Sequence, residues 1–149
     1  MALIFSLLSM DQASFLSLEQ VAEILPDNLK FSASDKIERS IYRSSNGKPL
    51  AIVNSKLYPD GTYWFSCVTK YFKDKGVESI CFVCANSGVI LVSTDAVLAY
   101  NKASGWKELR KGRSYYVRIR VVEGKHILFN FNDSSFDIDA SDGFIPYTF

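Results

Sequence analysis

The chain has 149 residues, 48% of them hydrophobic and 22% charged, with a formal net charge of +1. That length is enough for one domain with a proper core, and that composition excludes a disordered or collagen-like chain. A field so close to neutral excludes recruitment of nucleic acid by net charge alone, and it leaves an aromatic content of 14% to be explained.

The opening "MALIFSLLSM" is apolar but has no basic flank, and Ser6 and Ser9 interrupt it. It is expected to be a buried first strand or helix turn, not a signal peptide. No stretch approaches the roughly 20 apolar residues of a membrane span, so a soluble protein with no membrane partner is expected. Within residues 13–29 the apolar positions 15, 16, 18, 21, 24 and 25 recur at helical spacing. Ser17 with Gln20 forms a capping-box pattern, and Pro26 predicts the helix end at the preceding residue.

From residue 38 the pattern changes to strands, expected near 38–44, 49–57, 62–67, 79–85, 88–92, 114–122 and 126–131. Asn46-Gly47, Pro59-Asp60-Gly61 and Asn86-Ser87-Gly88 supply turns between them, the second with Pro presetting one corner and Gly allowing positive φ. "KYFKDKG" is a short helix or turn ending at Gly76. Thr94 and Asp95 are expected to cap a second helix that stops at Gly105. "SYYVRIRVVEGKHILFNFN" alternates as a hairpin around Gly124, and the acidic end "SSFDIDASDGFIPYTF" adds one short strand. The expected fold is α+β: a mostly antiparallel twisted sheet or partly open β-barrel with two short helices. One domain spans 1–149, with a helical segment of about 1–30 packed on a β-rich body of about 38–149.

Catalytic signals are sparse. No phosphate loop, dinucleotide fingerprint or nucleophile elbow is present. Cys81 and Cys84 form a C-x-x-C, but an apolar strand, "SICFVCA", points them to opposite faces. With Cys67 they are expected to be buried, reduced thiols in a cytoplasmic protein, with no metal. His126, the single histidine, sits in the strand "KHILFNF" and is expected to be structural. Asp133, Asp137, Asp139 and Asp142 lack a neighbouring E-x-K and read as solvated acids on an edge strand. No enzyme activity and no cofactor are expected.

Charge distribution says more than net charge. Residues 101–120 carry Lys102, Lys107, Arg110, Lys111, Arg113, Arg118 and Arg120 against Glu108 alone, a local +6. The acids are concentrated at 1–38 and 133–149, so folding either cancels the basic segment or leaves an electropositive face for phosphates. In "SKLYPDGTYWFSCVTKYF", Tyr63 and Phe65 face one side of a strand, and Trp64 and Ser66 the other. One side must be core, which leaves Trp64, after Lys56 and Tyr58, as a candidate contact. Trp106 either stacks on a ligand or pins its loop to the core.

The segments "GKPLAIVNSKLYPDGTYWFSC", "SICFVCANSGVILVSTDAVL" and "GRSYYVRIRV" resemble the small pseudobarrel (B3-like) specificity domains attached to prokaryotic restriction-type proteins, over roughly residues 42–121. The chain departs from that pattern at Ser66, where those domains often have Gly, and at Tyr116-Val117, where they often have Trp-His. The resemblance implies the recognition part of a restriction or defence system.

Charge, aromatics and resemblance together predict a non-catalytic domain that binds duplex DNA, plain or modified. Lys107, Arg110, Lys111 and Arg113 hold phosphates; Arg118 and Trp106 add to the surface; Lys56, Tyr58 and Trp64 lie closer to bases. The alternative is a small phage or mobile-element protein that inhibits a protein partner through the same aromatic surface.

Overall fold

The computed structural model of the protein describes residues 15–108 and 114–148. The element expected at residues 1–10 lies outside them. Helix α1 (Leu18–Ile24) begins at the capping box: Ser17 Oγ accepts the Gln20 N–H at 3.1 Å, and the Gln20 side chain accepts the Ser17 N–H at 2.8 Å. Two donors that a helix start leaves free are thereby satisfied. The helix ends at Leu25, immediately before Pro26.

The strands form two sheets. One has six strands in the order β1 (Lys36–Glu38), β2 (Ile41–Arg43), β3 (Pro49–Ser55), β5 (Ser79–Cys84), β6 (Gly88–Ser93) and β10 (Phe144–Pro146). The other has four, in the order β4 (Thr62–Cys67), β7 (Tyr115–Val122), β8 (Lys125–Leu128) and β9 (Ile138–Asp139). Helices α2 (Thr69–Asp74) and α3 (Thr94–Ala103) complete an α+β fold whose sheets do not close into a barrel.

The expected fold class holds, and its details differ in instructive ways. The strands divide between two sheets instead of one, and β3 pairs with β5 in parallel, from Ala51↔Ile80 to Ser55↔Cys84. The cause lies in β5. Its Ile80, Phe82 and Cys84 pack with Phe65 and Val117 of the four-stranded sheet, while Cys81 and Val83 pack with Val21, Leu25 and Phe31 on the other side. A strand apolar on both faces takes a central position covered on both sides. The chain reaches it from β3 by sending β4 into the second sheet and returning through α2, a crossover of the length parallel pairing requires.

Other boundaries shift for local reasons. The strand expected at 38–44 is broken by a turn in which Ser40 adopts φ +67°, giving β1 and β2. "KYFKDKG" is helical, so there are three α-helices among the described residues rather than two. Helix α3 is capped by Ser93, whose Oγ accepts the Ala96 N–H at 3.1 Å, not by Thr94 or Asp95. The acidic end contributes two short strands, β9 and β10, instead of one. No helix among the described residues is long and apolar enough to cross a membrane.

Cys81 and Cys84 do point to opposite faces of β5, each fully buried, and Cys67 is buried in the layer between the sheets. Burial pushes the thiols of Cys67 and Cys84 up to about 12 and raises that of Cys81 as well. At pH 8 all three are therefore protonated and shielded. A thiol-specific disulfide reagent is expected to titrate none of them in the native protein and all three after denaturation. A thiol that reacts rapidly without denaturant contradicts this packing. His126 stacks on Phe144 at 3.9 Å between ring centroids, and burial lowers its pKa.

Candidate functional site

The turn between β3 and β4 is determined locally. Tyr58 C=O accepts the Gly61 N–H at 2.9 Å, with Pro59 at the first corner and Gly61 at φ +82°. Tyr58 N–H then donates to the Thr62 C=O at 2.9 Å, closing a hairpin loop whose closing residue must tolerate positive φ. Asp60 accepts from its own backbone two residues on, through Oδ1 and the Thr62 N–H at 3.1 Å. Thr62 Oγ1 donates to the same Asp60 oxygen at 2.6 Å and accepts from Trp64 Nε1–H at 2.9 Å. This relay, Trp64 to Thr62 to Asp60, fixes the indole ring and the carboxylate together.

Alternation along β4 then decides which rings face out. Tyr63 and Phe65 are buried between the sheets, whereas Trp64 is half-buried on the opposite face and Ser66 is exposed. The register with β7 sets Trp64 opposite Arg118 and Ser66 opposite Tyr116. The Trp64 ring meets Tyr116 edge to face at 5.3 Å and Phe131 at 5.8 Å. Tyr58, Pro59, Asp60, Trp64, Ser66 and Tyr116 line an open recess of about 630 Å³ on this face. Such a volume lies within the range of ligand sites, and three aromatic walls suit a planar ring.

Cations stand beside two aromatic walls of the recess. Lys56 Nζ lies 5.1 Å from the Tyr58 ring centroid. The Arg118 guanidinium lies between Phe129 and Phe131, at 4.0 Å and 3.9 Å from their centroids, and 5.4 Å from that of Trp64. Its Nη2 donates to Asn130 C=O at 3.2 Å, and its buried Nε has no partner among the described residues. Arg118 thus stacks within the aromatic face rather than projecting from it. Arg120, two residues on, is exposed and 4.8 Å from the Phe129 centroid. The ion pairs among the described residues are Lys48–Glu78, Lys73–Asp95 and Lys75–Glu38, so none of them neutralises Lys56, Lys107, Arg118 or Arg120. Among the described residues, no acid of the two ends forms an ion pair with these four cations.

The remaining expected residues sit elsewhere. Trp106 packs on Tyr115 at 5.0 Å, with Lys70 Nζ 4.1 Å above its ring. Tyr115 points inward where Tyr116 points outward, so Trp106 does not line the recess. Lys107 is exposed, and its C=O accepts the Tyr116 N–H at 2.9 Å. Arg110, Lys111 and Arg113 lie outside the described residues. The positions flanking them are held together by a bridge between Glu108 and Tyr115.

Sequence reasoning did not single out Asp60, Thr62, Tyr116, Phe129 or Phe131 for this site. Tyr116 was legible from its alternation with Arg118 and Arg120; Phe129 and Phe131 fell within the strand expected at 126–131, but β8 ends at Leu128 and both lie beyond it.

A second depression, of about 620 Å³, meets the recess at Ser66 and is lined by Glu38, Arg39, Asn54, Tyr71 and Ser114 among others. Its Glu38 carboxylate is committed to the Tyr71 hydroxyl and to Lys75 Nζ at 3.5 Å. The hydrogen bond to Glu38 raises the Tyr71 pKa, so this hydroxyl stays protonated and is no base. Among the described residues, no group of three His, Cys, Asp or Glu side chains could hold a metal ion. Comparison with protein-family models, curated proteins and solved structures found no match.

Proposed function

We propose that the protein is a non-catalytic DNA-binding domain that receives a base in the Tyr58–Trp64–Tyr116 recess while the surrounding cations hold phosphates. The observation that carries this reading is the conjunction of an aromatic-walled recess with cations that no ion pair neutralises among the described residues. Bases stack on aromatic rings whatever their identity, and lysine and arginine supply the salt-sensitive share of affinity. A duplex base would have to leave its stack to enter, which is cheapest at a mismatched or damaged position. The sequence adds Arg110, Lys111 and Arg113 to the segment between Lys107 and Tyr116, two residues whose backbones are hydrogen-bonded to each other. The resemblance of residues 42–121 to B3-like specificity domains supports a recognition role in a restriction or defence system.

A series of affinities for duplex DNA at several salt concentrations tests the reading. Neutralising Arg110, Lys111 and Arg113 together is expected to weaken binding to all sequences, lowering the slope of log affinity against log salt by about 0.9 for each phosphate left without its cation. Trp64→Ala is expected to cost roughly 1–3 kcal/mol of affinity with little change in slope. Absence of binding at low salt to single-stranded, duplex and base-modified DNA ends the DNA reading.

One observation favours a protein partner instead. Leu57, Val121 and Val122 are exposed aliphatic residues at the same end of the four-stranded sheet, where Leu57 bridges to Tyr63. A protein contact centred on them and Trp64 would be nearly insensitive to salt.

A further inference from the structure

We infer that Asp60 makes the recess selective for a base whose exocyclic amine stands where thymine has O4, that is cytosine (N4) or adenine (N6), against thymine. This rests on the DNA reading above and names what the same recess accepts.

Asp60 is the one charged residue among those lining the recess. Its Oδ1 is occupied twice, by the Thr62 N–H at 3.1 Å and the Thr62 hydroxyl at 2.6 Å. Its Oδ2 has no hydrogen-bond partner among the described residues. The carboxylate is held at one oxygen by a rigid turn, which leaves the other as an uncommitted acceptor on a residue that lines the cavity. An ionised carboxylate offers only acceptors. Cytosine N4 and adenine N6 carry the matching N–H donors, whereas thymine places its O4 acceptor there and leaves two acceptors facing each other. The ring that would stack is fixed by the same relay, since Trp64 Nε1–H donates to the Thr62 hydroxyl at 2.9 Å. Stacking surface and polar selector are therefore set at a constant relative position.

Aromatic walls with a carboxylate also suit a quaternary ammonium group on a peptide. The surroundings oppose it: Lys56 stands over Tyr58 at 5.1 Å and Arg118 lies 5.4 Å from the Trp64 ring, so a cationic ligand meets like charge where a polyanion is attracted.

The test uses the full chain and three duplexes of one sequence, each with a single base opposite an abasic site, that base being cytosine, adenine or thymine. The abasic partner makes extrusion similarly cheap in all three. Wild-type protein is expected to bind the cytosine and adenine duplexes about tenfold more tightly than the thymine duplex. Asp60→Asn keeps the Oδ1 acceptor for Thr62 and places an NH₂ donor at the other position. It is expected to reverse the preference toward thymine, while the thermal melt stays within about 2 °C of wild type. If the three duplexes bind equally to wild type and Trp64→Ala still weakens all of them, the DNA reading stands and the selectivity of Asp60 is overturned. An unchanged preference in Asp60→Asn overturns it too. No binding to any duplex, or binding of a trimethyl-lysine peptide that duplex cannot displace, overturns both.

Discussion

Phe65→Ala is expected to destabilise the protein by about 3–5 kcal/mol, the range for truncating a buried aromatic. Phe65 is fully buried, and its ring meets Phe82 of the six-stranded sheet at 4.8 Å in an edge-to-face arrangement. It therefore couples the two sheets across the central layer, with Tyr63 at 6.4 Å beside it on its own strand. Deletion of the ring leaves a cavity lined by both sheets, which regular strands cannot move together to fill. For a chain of this size the loss corresponds to roughly 6–20 °C in melting temperature. Urea denaturation with an unchanged m-value is the cleaner measure, and a loss under about 1 kcal/mol contradicts this account of the core. Trp64→Ala, one residue earlier on the opposite face, is expected to lose much less stability and much more affinity. That contrast is the sharpest test of the β4 alternation.

Gly88→Ala has a comparable expected effect from a different cause. Gly88 adopts φ +153° and pairs with Pro146 where β10 joins the edge of the six-stranded sheet. A Cβ there would stand 2.3 Å from Ile145 O and 2.9 Å from Pro146 Cα, both backbone atoms with no rotamer to yield. Backbone strain and forced overpacking each typically cost about 1–3 kcal/mol. The strand can escape only by detaching, so either the whole fold loses several kcal/mol or β10 peels away from β6. Urea denaturation reports the first, and hydrogen exchange at the β6–β10 amides reports the second. Unchanged midpoint together with retained protection at Ile145 and Tyr147 contradicts the packing described.

Local rules determined much of this protein. The capping box at Ser17 and Gln20, the stop at Pro26, the Pro59-Asp60-Gly61 turn and the opposite facing of Trp64 and Phe65, and of Tyr116 and Val117, all follow from short-range geometry. Each depends on residues within four positions, so the chain carries the whole instruction locally.

Only the tertiary structure decided the division into two sheets, the parallel β3–β5 pair and the membership of the recess. Alternation states which face of a strand is apolar but not which strand lies beside it; pairing is settled by how both faces of β5 can be covered at once. Tyr116 reaches Trp64 across a separation of 52 positions because β7 pairs with β4 in one register, and a slip of one residue would turn Tyr116 inward. Asp60 looked like an ordinary turn residue for the same reason. Its Oδ1 bonds are local and legible, whereas the cavity it lines exists only once β7 has supplied the opposite wall.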